Sequence, residues 1–310
     1  KTPDTAMLTI SAAHAASIHL DTITIVNKNI TLSSDLDFPG GRKYQALTKC
    51  TINFNDNYSS SISTAAGLDT HIKDFDFIKM RGDYSLLSIS SDTNSLFVIE
   101  NCKFEGILTH GQSAPIGGNG ISSRNARQGS MIKRCSFDIG WSTQMNAGSN
   151  SSGFIALDRT DVISCTFWVK DSTPLGSTTL YLVGTGGQGA HSHGPPIGPI
   201  EVKNCIVHGN DRMHYGSGVA GSGGNLGFTS NARVSISQAN YVIHNCCLYG
   251  INGAPMEIDN STSNNRYNNG SIVSDRAIPR EWIENIFTED PQFVDPSGGN
   301  FQLKPQSPLI

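Results

Sequence analysis

One eight-residue segment recurs along the chain, and it constrains the fold more than any other feature. It is seen in Phe97-Val-Ile-Glu-Asn-Cys-Lys-Phe104, Ser130-Met-Ile-Lys-Arg-Cys-Ser-Phe137, Thr160-Asp-Val-Ile-Ser-Cys-Thr-Phe167, Ile200-Glu-Val-Lys-Asn-Cys-Ile-Val207 and Tyr241-Val-Ile-His-Asn-Cys-Cys-Leu248. Ala46-Leu-Thr-Lys-Cys-Thr-Ile52 and Thr70-His-Ile-Lys-Asp-Phe-Asp-Phe77 fit without every letter, and Ile25-Val-Asn-Lys-Asn-Ile-Thr-Leu32 fits more loosely. A chain that repeats itself builds a solenoid, propeller or array, in which each unit buries its apolar side against its neighbours.

Take the residue before the Cys position as reference: Lys49, Asp74, Asn101, Arg134, Ser164, Asn204 and Asn245. Two residues earlier stand Leu47, Ile72, Ile99, Ile132, Val162, Val202 and Ile243. One residue later stand Cys50, Phe75, Cys102, Cys135, Cys165, Cys205 and Cys246, and three later Ile52, Phe77, Phe104, Phe137, Phe167, Val207 and Leu248. Alternation with period two puts one set of side chains on one face of a strand. Here the alternation slips by one at the reference residue. A straight strand cannot do that and keep one face inward; a strand bent there can. Asn and Asp tolerate the left-handed conformation that such a bend needs.

Successive reference residues lie 25, 27, 33, 30, 40 and 41 apart. The short spacings suit one coil of three short strands and their turns at ~3.3 Å per residue. The longer ones predict insertions at one corner, Gly-rich as in 111–129 and 184–199. The expected fold is all-β, a right-handed parallel β-helix of about eight or more rungs. Six Cys share one inward position and are expected as a column of buried free thiols, since free Cys is among the most buried residue types. Cys247 points the other way.

Composition agrees. Hydrophobic residues make up 37% and charged residues 15%, with 32 Gly. That is too little charge for a disordered chain and suits a narrow core with many turns. The net charge of −4 and the lack of a basic run exclude a phosphate-neutralising footprint for nucleic acid. No apolar run reaches the 18 residues of a membrane span. The start at Lys1, without Met, reads as processing or trimming.

The Asn-Cys-x-Phe rungs resemble the parallel β-helix superfamily of pectate-lyase-like proteins, which includes phage tailspikes. The entry Ala12-Ala-His-Ala-Ala-Ser-Ile-His-Leu-Asp-Thr-Ile-Thr-Ile25 resembles that group's short capping helix and first strand. Residues 290–310, from Asp-Pro-Gln-Phe-Val-Asp-Pro to Ser-Pro-Leu-Ile, resemble the terminal module of many bacterial and phage β-helix proteins. The resemblance implies an N-terminal cap over 1–24, the β-helix over 25–281 and a C-terminal capping module over 282–310, covering the two open ends.

Enzymes of this superfamily are polysaccharide lyases and glycoside hydrolases, and their constellations are thin here. His208-Gly209 stands without the Asp-Asp pair that accompanies it in polygalacturonase-like hydrolases, and hydrolysis needs two carboxylates at a set distance. Asp74 and Asp76 read as a bend residue and a solvated strand residue. Arg124, Arg127, Lys133 and Arg134 form a basic group near one rung, able to serve as a lyase base or to hold an acidic glycan; a solvated face is the plainer reading. His191 and His193 are flanked by Gly and Pro, so a metal site is not expected. His208, Arg212, His214 and Tyr215 form the densest polar-aromatic patch, and Trp141 and Trp168 follow their rung strands closely. These six are candidates for glycan stacking and hydrogen bonding, against a plainer role in packing. No cofactor is expected.

Two function classes follow. The first is a non-catalytic structural or adhesive protein of a virion: a tail fibre, tailspike or capsid decoration. It would be a homo-oligomer, a trimer by resemblance, or bound to other virion proteins, with a polysaccharide as ligand. Seven Cys without obvious pairing suit a chain made in a reducing cytoplasm, and the expected location is virion or extracellular. The second is a polysaccharide lyase or glycoside hydrolase on the same scaffold, free or as a tailspike depolymerase.

Overall fold

A computed structural model describes residues 22–26, 29–33, 35–56, 60–63, 69–82, 85–90, 96–108, 119–124, 127, 129–141, 155–158, 160–169, 180–183, 200–208, 234–237, 241–249, 256–260, 263–268, 271–273 and 283–310. The N-terminal cap expected over 1–24 lies almost wholly outside them.

The described chain is all-β and winds as a parallel β-helix of nine coils. Strands before the bend form one half of a 14-stranded sheet: Thr22–Ile25, the start of Lys43–Asn53 and of Thr70–Gly82, Phe97–Glu100, Ser130–Lys133, Thr160–Ile163, Ile200–Lys203, the start of Tyr241–Tyr249, and Ile283–Phe287. We call this half the first sheet. Strands after the bend, among them Lys103–Leu108, Ser136–Trp141, Thr166–Val169 and Ile206–His208, form the second. The third is a separate ten-stranded sheet built from Leu36–Pro39, Ser60–Ser63, Ser85–Ser90, Asn119–Arg124, Ile155–Asp158, Leu180–Val183, Val234–Ser237 and Met256–Asn260. It ends in an antiparallel meander through Ser263–Asn268 and Ser271–Val273.

The bends sit where the alternation slips. Asp74, Asn101, Arg134, Ser164, Asn204 and Asn245 all have left-handed backbones, with φ between 51° and 67°. Each turn of direction keeps the ladder intact. Asn101 N–H donates to Lys133 O at 3.0 Å, Arg134 to Ile163 at 2.9 Å, Ser164 to Lys203 at 2.8 Å and Asn204 to His244 at 3.1 Å. Just past the bend, Ser136 N–H donates to Cys102 O and Thr166 N–H to Cys135 O. At these four bends the ladder thus continues through the corner, which is what makes a sharp bend tolerable inside a sheet. Outside, the bend side chains link coil to coil: the Asn101 amide donates to the Asp74 carboxylate at 2.6 Å, and the Asn285 amide to the Asn245 carbonyl oxygen at 2.9 Å.

Inside, the slipped alternation fills the core. Phe77, Phe104, Phe137 and Phe167 stack face to face with ring centroids 4.9, 5.1 and 4.8 Å apart. That separation is the strand spacing itself, about 4.8 Å. The column of six thiols runs beside them as expected, and all seven Cys are buried and free. Cys135, Cys165, Cys205 and Cys246 each face the carbonyl two residues back and a carbonyl of the preceding coil, at 3.1–3.7 Å. Burial pushes the Cys102, Cys135 and Cys165 thiols well above their ordinary pKa. Native protein is therefore expected to resist a thiol reagent until unfolded, when all seven react; rapid labelling without denaturant would contradict the column.

Three expectations need correction. In the second coil Leu47 is exposed at 67%, and Lys49 is not left-handed. Tyr44 pairs with Ile72 and Cys50 with Phe75, so three extra residues bulge at this bend and Tyr44 takes the inward place. Second, 111–129 is not one insertion, because Asn119–Arg124 inside it is a third-sheet strand. Third, the insertions leave from two corners: 109–118 joins the second sheet to the third, whereas 184–199 joins the third to the first. A ninth coil also escaped the alignment. Ile283–Phe287 pairs with the preceding coil, and Asn285 repeats the left-handed bend with Ile286 in the Cys place.

The last residues fold back along a flank. Phe293–Asp295 and Asn300–Leu303 form a hairpin that pairs only with itself among the described strands. Phe293 and Phe301 meet Trp168 of the sixth coil, with centroids 5.8 Å away in each case. Cys247, outward in the eighth coil, faces Glu289 O at 3.3 Å. Gly299, at φ +74°, lies over the fourth coil, where a Cβ would come within 2.6 Å of Lys103 Nζ.

Candidate functional site

The basic group is divided by the fold. Arg124 ends a third-sheet strand. Arg127 stands at the corner before the fifth coil, with its guanidinium 3.9 Å from Asp69. Lys133 and Arg134 belong to the first sheet and its bend, and both reach Glu100 of the preceding coil. Lys133 Nζ is 3.0 Å from Glu100, Arg134 donates to the same carboxylate, and Lys73 from the coil on the other side lies 3.8 Å away. Three cations from two coils thus converge on one carboxylate that is 14% exposed. Lys73 was not legible as a member, because only the stacking register brings it beside Glu100.

Burial raises the Glu100 pKa, but the hydrogen bonds from Lys133 and Arg134 and the charge of Lys73 outweigh it, leaving the group below its ordinary 4.5. A carboxyl depressed on folding contributes stability above its unfolded pKa, and the contribution is lost as pH falls through the folded value. Glu100→Gln is expected to cost about 1 kcal/mol at pH 7 and almost nothing once both chains are well below pH 4.5. Urea unfolding of both chains across that range reads the difference; an equal cost at both ends would contradict the cluster.

The aromatic candidates separate too. Arg212, His214 and Tyr215 lie outside the described residues, as do His191 and His193; of Trp141 only the backbone is described, at the end of a second-sheet strand. Trp168 and His208 are register partners on adjacent coils, with rings stacked at 3.7 Å and 10°. Their faces are turned along the coil axis, so an edge and not a face of Trp168 points outward. Phe293 and Phe301 cover that edge, and His208 is 9% exposed. The pair is the floor beneath the C-terminal hairpin. Sequence reading could not have found this, because the covering residues lie 85 or more positions further on.

What the fold does align is the strand ends that five connecting segments join. Segments 109–118, 142–154, 170–179, 209–233 and 250–255 all join a second-sheet strand to a third-sheet strand. The strands they leave and enter are in parallel register from coil to coil. Their only charged residues are Lys170, Asp171, Asp211, Arg212 and Arg233; the remainder is dominated by Gly, Ser, Thr and Asn.

No protein-family model, curated protein or solved structure matches the chain. Among the described residues no helix is long and apolar enough to cross a membrane, and no group of three or more His, Cys, Asp or Glu could hold a metal ion.

Proposed function

We propose that this chain is a structural or adhesive rod, of the kind carried on virions as a tail fibre, tailspike or capsid decoration, and that it binds surface glycans through the strip of connecting segments. The observation that carries the reading is the register. Nine coils share one continuous ladder, so the strand ends from which five sparsely charged, hydroxyl- and amide-rich segments depart stack at the same corner, about 4.8 Å apart. A rigid scaffold that presents a row of loops is a common way of building a binding surface. Hydroxyls and amides there suit the hydroxyls of a polysaccharide, and Tyr215, His214 and Arg212 supply the aromatic and charged contacts within the longest segment. The resemblance of the rungs to tailspike β-helices supports the virion setting.

The test is a polysaccharide panel, neutral and acidic, scored both for retention of the purified chain and for shortening of the polymer. Retention without shortening is expected, with Tyr215→Ala weakening it. Shortened chains carrying new unsaturated ends would overturn the reading in favour of a lyase; retention of none would overturn it outright.

A further inference from the structure

We infer that the thiol column is a binding site for a soft divalent cation, mercury(II), each ion held in a line between two thiolates of adjacent coils. Cys102, Cys135, Cys165, Cys205 and Cys246 occupy one inward place on coils 4 to 8 without a break. The run is closed at both ends. Phe75 takes that place in coil 3 and separates Cys50 from the rest, and Ile286 takes it in coil 9. Cys247 is outward and belongs to no run.

The five side chains are set alike. Each sulfur has the carbonyl oxygen two residues back at 3.1–3.3 Å and a carbonyl oxygen of the preceding coil at 3.5–4.0 Å. Contacts that repeat in this way make each sulfur a copy of the last, moved by one coil, so neighbouring sulfurs lie about 4.8 Å apart. That separation decides the chemistry. A disulfide bond is about 2.05 Å long, and to form one a pair would have to leave its shared setting. A metal–thiolate bond is about 2.3 Å, on the zinc value, so two in a line span about 4.6 Å. An ion midway between two sulfurs therefore fits with the side chains where they stand.

The number of donors and the charge choose the ion. Among the described residues no group of three or more His, Cys, Asp or Glu is placed to hold a metal, which excludes zinc with its four ligands. A soft ion satisfied by two thiolates is left. Two thiolates around a monovalent ion would leave a net negative charge in the core, where an uncompensated charge is costly and the nearest dipoles turn carbonyl oxygens towards it. Around a divalent ion they are neutral. One Hg(II) ion and two thiols give one neutral bis-thiolate and two protons, which leave to solvent; nothing is oxidised or reduced. The carbonyl oxygens then face the cation.

Each thiolate completes one ion, so five thiols in a run hold two ions and leave one thiol over. Truncation changes this count by position. Cys135→Ala and Cys205→Ala each break the run into one and three, which hold one ion. Cys165→Ala breaks it into two and two, which still hold two. Thiols free to pair anywhere would hold three ions in the native sequence, from seven Cys, and three in every one of these variants.

The site lies inside the rod and does not depend on glycan binding, so either reading can fail alone. Because the thiols are buried, the ion enters as the chain folds. The full chain is therefore unfolded in urea and refolded with mercuric chloride and a small monothiol, which strips singly held ions and lets the rest exchange. Native mass spectrometry counts the ions, and X-ray absorption reads their ligands. Two ions are expected for the native sequence and for Cys165→Ala, and one for Cys135→Ala and Cys205→Ala, each with two sulfurs in line. No retained ion, equal counts in all four chains, or a chain that mercury keeps from refolding would overturn the inference.

Discussion

Phe137→Ala is expected to lower the unfolding free energy by about 3–5 kcal/mol, the largest effect of any single truncation in the core. The Phe137 ring is stacked on Phe104 at 5.1 Å and on Phe167 at 4.8 Å, with planes within 6°. Both faces are therefore in contact, and the side chain is 1% exposed. Removing it strips two stacking contacts and opens a void in the middle of the column. The neighbours cannot close that void, because each is fixed to its own coil by ladder hydrogen bonds on either side. Phe137→Leu keeps most of the volume and should cost distinctly less, about 1–2 kcal/mol. Equilibrium urea unfolding measures both; a cost below about 1 kcal/mol for the alanine would mean that the rings do not form a column.

Asn204→Pro is expected to be comparably damaging, at about 3 kcal/mol or more. Asn204 holds φ at 53°, on the opposite side of the map from the value near −65° that a proline ring imposes. Its N–H also donates to His244 O at 3.1 Å, a bond that proline cannot make and that links coils 7 and 8. Asn204→Gly separates the two causes. Glycine adopts the same φ freely and keeps the N–H, and loses only the side-chain contact with Asn245 at 3.3 Å. It should cost well under 1 kcal/mol. Hydrogen exchange should show the proline variant's loss of protection centred on coils 7 and 8. Uniform loss, or a glycine variant as weak as the proline one, would argue against a left-handed bend at this position.

The bends were legible because they leave a mark that can be counted. Wherever Asn, Asp, Ser or Arg occupies the left-handed position, the inward residues fall at −2, +1 and +3, and no unbent strand gives that spacing. The second coil hid its bulge because Leu47 happens to be apolar where an inward residue was due. The ninth coil was missed because Ile286 replaces the Cys on which the alignment was hung. The third-sheet strands, such as Val234–Ser237, are short and Ser-rich and have no bend of their own, so no letter marks them. The candidate site was far less legible. Trp168 and His208 were found as a pair of unusual residues near strand ends. Their role depends on the register that stacks them and on a hairpin formed by the last residues of the chain, and neither is written nearby. The same register gathers Lys73, Lys133 and Arg134 around Glu100.

All of these claims rest on one coil per repeated segment, and a pair of distances tests that most directly. Lys73 and Lys203 are outward on coils 3 and 7, and Glu100 and His244 on coils 4 and 8. Each pair spans four coils, so each should be about 19 Å apart. The native thiols are buried, so cysteines introduced at these positions can take spin labels selectively. The distances would be read by pulsed electron resonance in labelled chains diluted with unlabelled protein. Two equal distances near 19 Å are the result expected of a parallel, in-register solenoid. Unequal distances, or either one beyond about 30 Å, would contradict it.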